Sequence, residues 1–131
     1  QTMETKCADN NIRIHKDFAD GQVLVNVDSE LIEQVIVNII KNAAESIGQK
    51  GDIYCKTSSS PAILEIADTG EGISDDTQKK LFSPFFSTKP NGQGIGLIFI
   101  REVLNKHNCH FSLKTYADGI TRFRIEFVKI K

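Results

Sequence analysis

The sequence predicts an α+β domain built as a two-layer sandwich, in which a mixed β-sheet is covered on one face by helices. Two observations favour this class. Several short segments alternate apolar and polar residues as strands do, while two longer segments have helical periodicity. In chain order the elements read β-β-α-β-β-loop-α-β-β. A helix layer packed on a sheet buries the apolar faces of both.

The first half of the chain is predicted to form two strands and a long helix. Residues 11–18 (NIRIHKDF) alternate apolar and polar positions, and residues 23–27 (VLVNV) are a shorter strand candidate after the turn ADGQ. We expect Asp28 to cap the helix that follows, because its carboxylate can accept from free N–H groups of the first turn. The helix is predicted to continue to Ile47 and to stop at Gly48.

The second half is predicted to contain four strands, a short helix, a long loop and a longer helix. Pro61 lies in a polar turn between the first two of these strands, and the turn ADG separates the last two. In order, the segments are the strands 52–59 and 62–68, the helix from Ser74 to Leu81, the loop 83–96, the helix 95–108, and the strands 110–116 and 121–130.

The composition limits the classes of partner. A length of 131 residues fits a single domain, and 40% hydrophobic with 25% charged residues is an ordinary balance. The formal net charge of −1 does not favour a nucleic-acid partner. No apolar run approaches the roughly 20 residues that cross a bilayer, so we expect no direct membrane contact. The widely spaced cysteines Cys7, Cys55 and Cys109 are expected to be reduced thiols in a cytoplasmic domain.

The long helix carries asparagines where better helix formers would be expected. At about 100° per residue, Asn38, Asn42 and Glu45 share one polar face. One interpretation is an ordinary solvated face; the other is that Asn42 offers an amide oxygen to a hard cation such as Mg²⁺. The remaining arc is apolar and is predicted to face the core, with Ile32, Val35, Ile36, Ile39, Ile40, Ala43, Ala44 and Ile47.

Two glycine segments could supply the rest of a nucleotide site. GQGIGL, residues 92–97, precedes a helix, where backbone N–H groups and the helix dipole favour an oxyanion. Alone this pattern is equally typical of a flexible loop, and it lacks the Lys-Ser/Thr of a P-loop. In ADTGEGI, Asp68 ends an apolar strand, where a carboxylate can accept from an exocyclic amine such as that of adenine. An acidic turn is the alternative.

Together these segments resemble the catalytic ATP-binding domain of sensor histidine kinases, in the superfamily that also holds gyrase, the Hsp90 chaperones and the MutL proteins. NIIKNAAESI resembles the N box, DTGEGI the first glycine box, LFSPFFSTK the F box and GQGIGL the second glycine box. The boxes occur in the family's order, and the likeness runs from about Asn11 to Phe127. NAAE with PFFSTK is most similar to kinases of the nitrogen-regulator type. The resemblance implies a Bergerat-type ATP-binding fold.

The resemblance also implies roles for single residues, with ATP and Mg²⁺ as cofactors. Asn42 matches the asparagine that coordinates Mg²⁺, Asn38 one that faces the phosphates, and Lys89 a lid lysine that could meet the γ-phosphate. ATP-hydrolysing relatives have a glutamate base where Asn38 stands, and an amide cannot take a proton from water, so transfer is favoured over hydrolysis. Glu45 departs from the family's usual Lys or Arg, and its role is open. The implied nucleotide contacts are Asp68, Gly70, Gly72, Ile73, Phe86, Gly92, Gly94, Ile95, Gly96, Leu97 and Thr121.

A phosphoacceptor histidine is not evident. His15, His107 and His110 lack the helical context with a following acidic residue that such a histidine requires, so each is predicted to be structural or on the surface. Residues 1–131 are therefore expected to form a single catalytic ATP-binding domain, with the phosphoacceptor dimerisation domain of the same parent protein and a downstream response regulator as partners. Whether the parent is membrane-anchored is left open. The alternatives are an ATPase or chaperone-type domain of the same superfamily, or a non-catalytic ATP-binding regulator.

Overall fold

A computed structural model describes most of the chain as one sheet with two helices. The described residues are 11–18, 28–59, 61–74, 76 and 95–127. The strand predicted at residues 23–27 and most of the short helix predicted from Ser74 lie outside them. In chain order the described elements are β1 (Ile12–Asp17), α1 (Ser29–Ile47), β2 (Gly51–Ser59), β3 (Ala62–Asp68), α2 (Ile95–Lys106), β4 (His110–Thr115) and β5 (Thr121–Glu126).

The sheet is mixed, as predicted, and its strand order is β1-β2-β3-β5-β4. β1 pairs with β2 in parallel, and the other three neighbouring pairs are antiparallel. A parallel pair needs a long crossover, and the chain between β1 and β2 contains α1. β2–β3 and β4–β5 are hairpins, and β5 lies between β3 and β4. The end of β3 and the start of β5 therefore meet in the middle of the sheet.

α1 begins and ends as its sequence predicts. The N–H groups of Glu30 and Leu31 donate to Asp28 Oδ1 over 3.0 and 3.2 Å, which satisfies two of the free donors of the first turn. Gly48 ends the helix at a φ of 75°, and its N–H donates to the Ala44 carbonyl. The apolar arc faces the core as predicted: Ile32, Val35, Ile39 and Ala43 are buried, and Ile36, Ile40, Ala44 and Ile47 pack beside them.

α2 covers the same face of the sheet and ends earlier than predicted. Ile100, Val103 and Leu104 are buried in the same core as α1. The predicted helix 95–108 stops at Lys106 because Asn108 adopts a left-handed φ of 59°. The N–H of Asn108 then donates to Asn105, and that of Cys109 donates to Leu104, which is the Schellman arrangement with asparagine in the place of glycine.

His107 ties the end of α2 to the start of α1. The backbone N–H of Asp28 donates to His107 Nε2 over 3.0 Å. Nε2 is thus an acceptor, so the ring proton belongs on Nδ1, which lies 2.8 Å from the Val103 carbonyl oxygen and donates to it. The prediction that His107 is structural or on the surface agrees with this half-buried, doubly bonded ring. The bridge therefore links the two helices in addition to their shared apolar core.

Candidate nucleotide-binding site

Two polar side chains are buried side by side where β3 ends and β5 begins. Asp68 and Thr121 are cross-strand partners, and their exposed fractions are only 6% and 5%. Aspartate and threonine are rarely buried to this extent without a strong reason. Thr115, which pairs with Thr121 from β4, and Ile53, which pairs with Asp68 from β2, complete one row across the sheet. Ile53 is fully buried, so the row lies on the helix-covered face.

Asp68 has one carboxylate oxygen engaged and one available. Its Oδ1 accepts from the Gly70 N–H over 2.8 Å. Among the described residues, no hydrogen bond to its Oδ2 is found. Burial raises the pKa of this carboxyl above the ordinary value for aspartate, and the Gly70 N–H only partly opposes that shift. A buried carboxylate oxygen without such a partner is able to accept a hydrogen bond from a ligand.

Thr121 belongs to a short hydroxyl chain. Its Oγ1 lies 2.7 Å from Thr115 Oγ1, and Thr115 Oγ1 accepts from the Ile73 N–H over 2.7 Å. Ile73, a predicted nucleotide contact, is thereby fixed to the strand end through its backbone. The chain joins the glycine turn after β3 to the β4–β5 hairpin.

Both glycines of the first glycine segment are required by their surroundings. A Cβ at Gly70 would collide with Ser46 Oγ and lie 2.8 Å from the Ser46 carbonyl carbon and 2.9 Å from Asp68 Oδ1. Gly72 has a φ of 85°, which side chains rarely adopt, and a Cβ there would lie 3.3 Å from Thr115 Cγ2. The turn is therefore packed between the end of α1 and β4. Ser46 and Asp68 flank the same glycine, so their oxygens are close neighbours.

The polar face of α1 leads into this corner. Asn42 is half-buried and lies one helical turn, about 6 Å along the axis, before Ser46. The structure thus brings Asn42 and Asp68 to the same end of the molecule. Asn38, a further turn back, is half-buried and lines a cleft of about 410 Å³ with Glu30, Glu33, Gln34 and Val37. Glu45 is exposed.

The two helices extend from the His107 bridge over similar lengths. From His107 back to Ile95 the helix is about 18 Å long, and along α1 the distance from Asp28 is about 15 Å to Asn38 and 21 Å to Asn42. α2 packs against α1, and from these lengths we expect its first turn, with Ile95 and Gly96, to lie near the level of the asparagines. Leu97 is half-buried against the core. Four predicted site residues lie outside the described residues: Phe86, Lys89, Gly92 and Gly94.

A metal held by protein side chains alone is not found in the described part of the chain. No group of three or more His, Cys, Asp or Glu side chains comes together there. The chemistry of the donors still fits Mg²⁺, because this ion keeps several waters and is often bound by one or two protein oxygens together with substrate phosphates. An amide such as that of Asn42 suits this mode.

Among the described helices, none is long and apolar enough to span a bilayer.

Two residues of the site were missed from the sequence. Thr115 and Ser46 carry no motif, and each matters through what lies across from it in the fold. The signal for Thr115 is the pairing of β4 with β5, which places it opposite Thr121. The signal for Ser46 is helical spacing, since it follows Asn42 by four residues.

Known proteins with similar sequences are sensor kinases. Over 129 residues the chain is 30% identical to sporulation kinase A of Bacillus subtilis, which covers 97% of this chain and 21% of that protein. Over 86 residues it is 42% identical to the signal transduction histidine-protein kinase AtoS of Escherichia coli, which covers 63% of this chain and 14% of that protein. The chain thus spans about a fifth or less of these two relatives.

Solved structures with the same fold point in the same direction. The nucleotide-free catalytic domain of the histidine kinase ThkA superposes with a TM-score of 0.88 at 27% identity, over 98% of this chain and 87% of that one. The sheet order and the helix layer described above are therefore those of a histidine kinase catalytic domain. Residues 27–130, most of the chain, match the family described as histidine kinase-, DNA gyrase B- and HSP90-like ATPases, and the chain belongs to that family.

Proposed function

We propose that the chain binds Mg-ATP and, within a larger sensor histidine kinase, donates the γ-phosphoryl group to a histidine on a separate dimerisation domain. The observation that carries the proposal is the buried pair of Asp68 and Thr121 beside the glycine turn. Buried polar atoms without protein partners are costly unless a ligand completes their hydrogen bonds. Membership of an ATPase family makes ATP the natural ligand.

The adenine ring is assigned to Asp68 and Thr121 from the hydrogen bonds that each group can form. Adenine presents an amino donor at C6 next to an acceptor at N1. Asp68 Oδ2 can accept from the amino group, and the Thr121 hydroxyl can donate to N1 directly or through one water. Gly70 and Gly72 carry no side chain that would fill the space beside the ring. In its ionised form the Asp68 carboxylate would make a strong, charge-assisted hydrogen bond to this amino group.

The phosphates of ATP would be bound by α1 and the start of α2. Asn42 would hold Mg²⁺ through its amide oxygen, and Mg²⁺ would neutralise phosphate charge. Asn38 would face the phosphates from the neighbouring turn, and backbone N–H groups of the first turn of α2 would contact them. Lys89 is proposed as a further contact to the γ-phosphate. Phosphoryl transfer depends mainly on such positioning and charge neutralisation.

The amide of Asn38 favours transfer over hydrolysis. An amide cannot remove a proton from water, so the site lacks a general base at this position. The acceptor would be a histidine on the parent's dimerisation domain, and the phosphoryl group would then pass to an aspartate of a response regulator. On this proposal the domain works in the cytoplasm and contacts neither nucleic acid nor lipid.

Binding and turnover measurements test the proposal. Calorimetry with ADP and ATP, with and without Mg²⁺, should show nucleotide binding that Asp68→Asn weakens, while Asp17→Asn, a control on the exposed edge strand, should leave it unchanged. The domain alone should turn over ATP very slowly, and mixing it with a dimeric acceptor bundle from a similar kinase should give acid-labile phosphohistidine. Steady turnover without an acceptor would favour an ATPase or chaperone-type domain. Tight ATP binding without transfer to any acceptor would favour a non-catalytic regulator.

A further inference from the structure

We propose that Arg122 is a positioning residue for the nucleotide: it holds the β4–β5 turn and thereby keeps the Thr121 side chain in place beside Asp68. The inference rests on the proposed function. Arg122 follows Thr121 in β5, and side chains alternate along a strand. Arg122 therefore lies on the open face of the sheet, which neither described helix covers, and acts on the site from behind.

Arg122 closes the turn that joins β4 to β5. Its Nη1 donates to Asp118 Oδ1 over 3.3 Å, and its Nη2 donates to Asp118 Oδ2 over 2.8 Å. A two-pronged pair of this kind fixes the orientation of both groups. Asp118 Oδ1 also accepts from the Ile120 N–H over 2.9 Å. The Asp118 carboxylate is thus bonded to the residues on both sides of Thr121.

The same guanidinium group reaches the strands on either side of β5. Its Nε lies 3.5 Å from Glu65 Oε1 on β3, three residues before Asp68. Its Cζ lies 4.8 Å from the centre of the Tyr116 ring, and Tyr116 follows Thr115 at the end of β4. One side chain therefore links the strand of Asp68, the strand of Thr121 and the residue next to Thr115.

The arrangement is stronger than an ordinary surface ion pair. Isolated exposed pairs contribute little, but the side chains of Arg122 and Glu65 are only 27% and 24% exposed, and the guanidinium has three partners. The hydrogen bonds from Arg122 and from the Ile120 N–H hold the pKa of Asp118 below its ordinary value, so its carboxylate stays charged at neutral pH. Groups that bind a ligand must be held to within about 0.5 Å, and this network supplies such support for Thr121.

The test measures ADP binding by calorimetry for wild type, Arg122→Met, Thr121→Val and the double variant. Methionine keeps an apolar stem and removes the guanidinium group. We expect Arg122→Met to weaken ADP binding about fivefold in the wild type and less than about twofold when residue 121 is already valine, because Arg122 acts through the Thr121 hydroxyl. Arg13→Met breaks an arginine–aspartate pair with Asp52 on the same face of the sheet, and this matched control should leave ADP affinity unchanged.

The double variant separates positioning from a general structural role. A general role would lower the affinity by the same factor in both backgrounds, and that result would overturn the inference, as would wild-type affinity in Arg122→Met. The proposed function would stand in either case, whereas absence of ADP binding in the wild type would overturn both. If Arg122→Met does not fold, Asp118→Ala removes the partner of the guanidinium group and gives the same comparison.

Discussion

Replacing Asp68 by asparagine should weaken nucleotide binding without destabilising the domain. In the wild type, Oδ1 accepts from the Gly70 N–H and Oδ2 remains for the amino group of adenine. Asparagine has one oxygen and one NH₂ group at these places. Whichever way the amide is turned, its NH₂ faces a donor, either the Gly70 N–H or the adenine amine.

The size of the loss follows from the bond that is removed. A hydrogen bond to a charged group contributes about 1.5 to 3 kcal/mol. Its loss corresponds to a dissociation constant that is roughly 10 to 150 times larger. The free energy of unfolding, in contrast, should not decrease. Burial raises the pKa of Asp68, so the ionised carboxylate is less favourable in the folded chain than in the unfolded one. Asparagine removes that charge, and the free energy of unfolding at neutral pH should be unchanged or higher.

The sign of the pH dependence is fixed by the same shift. Between the unfolded and the raised folded pKa of Asp68, the folded chain holds a proton that the unfolded chain has lost. The stability contributed by this group is thus complete below the unfolded pKa and decreases as pH rises through that window. The stability advantage of Asp68→Asn should increase with pH and level off above the folded pKa.

Two measurements decide the matter. Calorimetry with ADP gives the affinity, and urea unfolding at a series of pH values gives the stability of wild type, Asp68→Asn and the Asp17→Asn control. An Asp68→Asn variant that binds ADP as tightly as the wild type would refute the reasoning. So would a variant whose weaker binding is matched by an equal loss of stability, since the defect would then be structural.

The remaining predictions concern the metal, the turn and the helix bridge. Asn42→Asp should alter the Mg²⁺-dependent part of ATP affinity and leave metal-free ADP binding within about threefold, measured by calorimetry; equal changes in both conditions would contradict the metal role. Gly70→Ala should weaken ADP binding at least tenfold and lower the melting temperature, because its methyl group meets the Ser46 backbone. Wild-type ADP affinity and melting temperature in Gly70→Ala would show that the turn can shift. His107→Ala should lower the free energy of unfolding by about 1 to 3 kcal/mol, because the N–H of Asp28 loses its acceptor, whereas His107→Gln, with an acceptor and a donor, should retain most of it in urea unfolding.

Local signals were sufficient to predict the elements that the structure describes. Asp28 and Gly48 define α1 because their capping chemistry depends on neighbours in sequence. The end of α2 was placed two residues late, since nothing in the sequence shows that Asn108 takes a left-handed conformation. The mixed sheet was predicted as a class. Its strand order was not, because the position of β5 between β3 and β4 depends on contacts distant in sequence.

The site was predicted unevenly for the same reason. Asp68 was proposed from its place at the end of an apolar strand, and Thr121 was named through the family resemblance. Their adjacency rests on a pairing that no local pattern encodes. Thr115 was missed because its importance arises only from the hydroxyl opposite it. Asn42 could be placed on a polar face from helical spacing alone. The roles of Phe86, Lys89, Gly92 and Gly94 remain predictions.

The parallel pairing of β1 with β2 has a consequence for how the chain folds. The two hairpins, β2–β3 and β4–β5, close short loops and can form early and independently. The partners Ile14 and Ile53, by contrast, meet only after the intervening segment with α1 has been laid across the sheet. The pairing of β3 with β5 joins residues still farther apart in the chain, such as Asp68 and Thr121, so we expect both of these long-range pairings to form after the two hairpins.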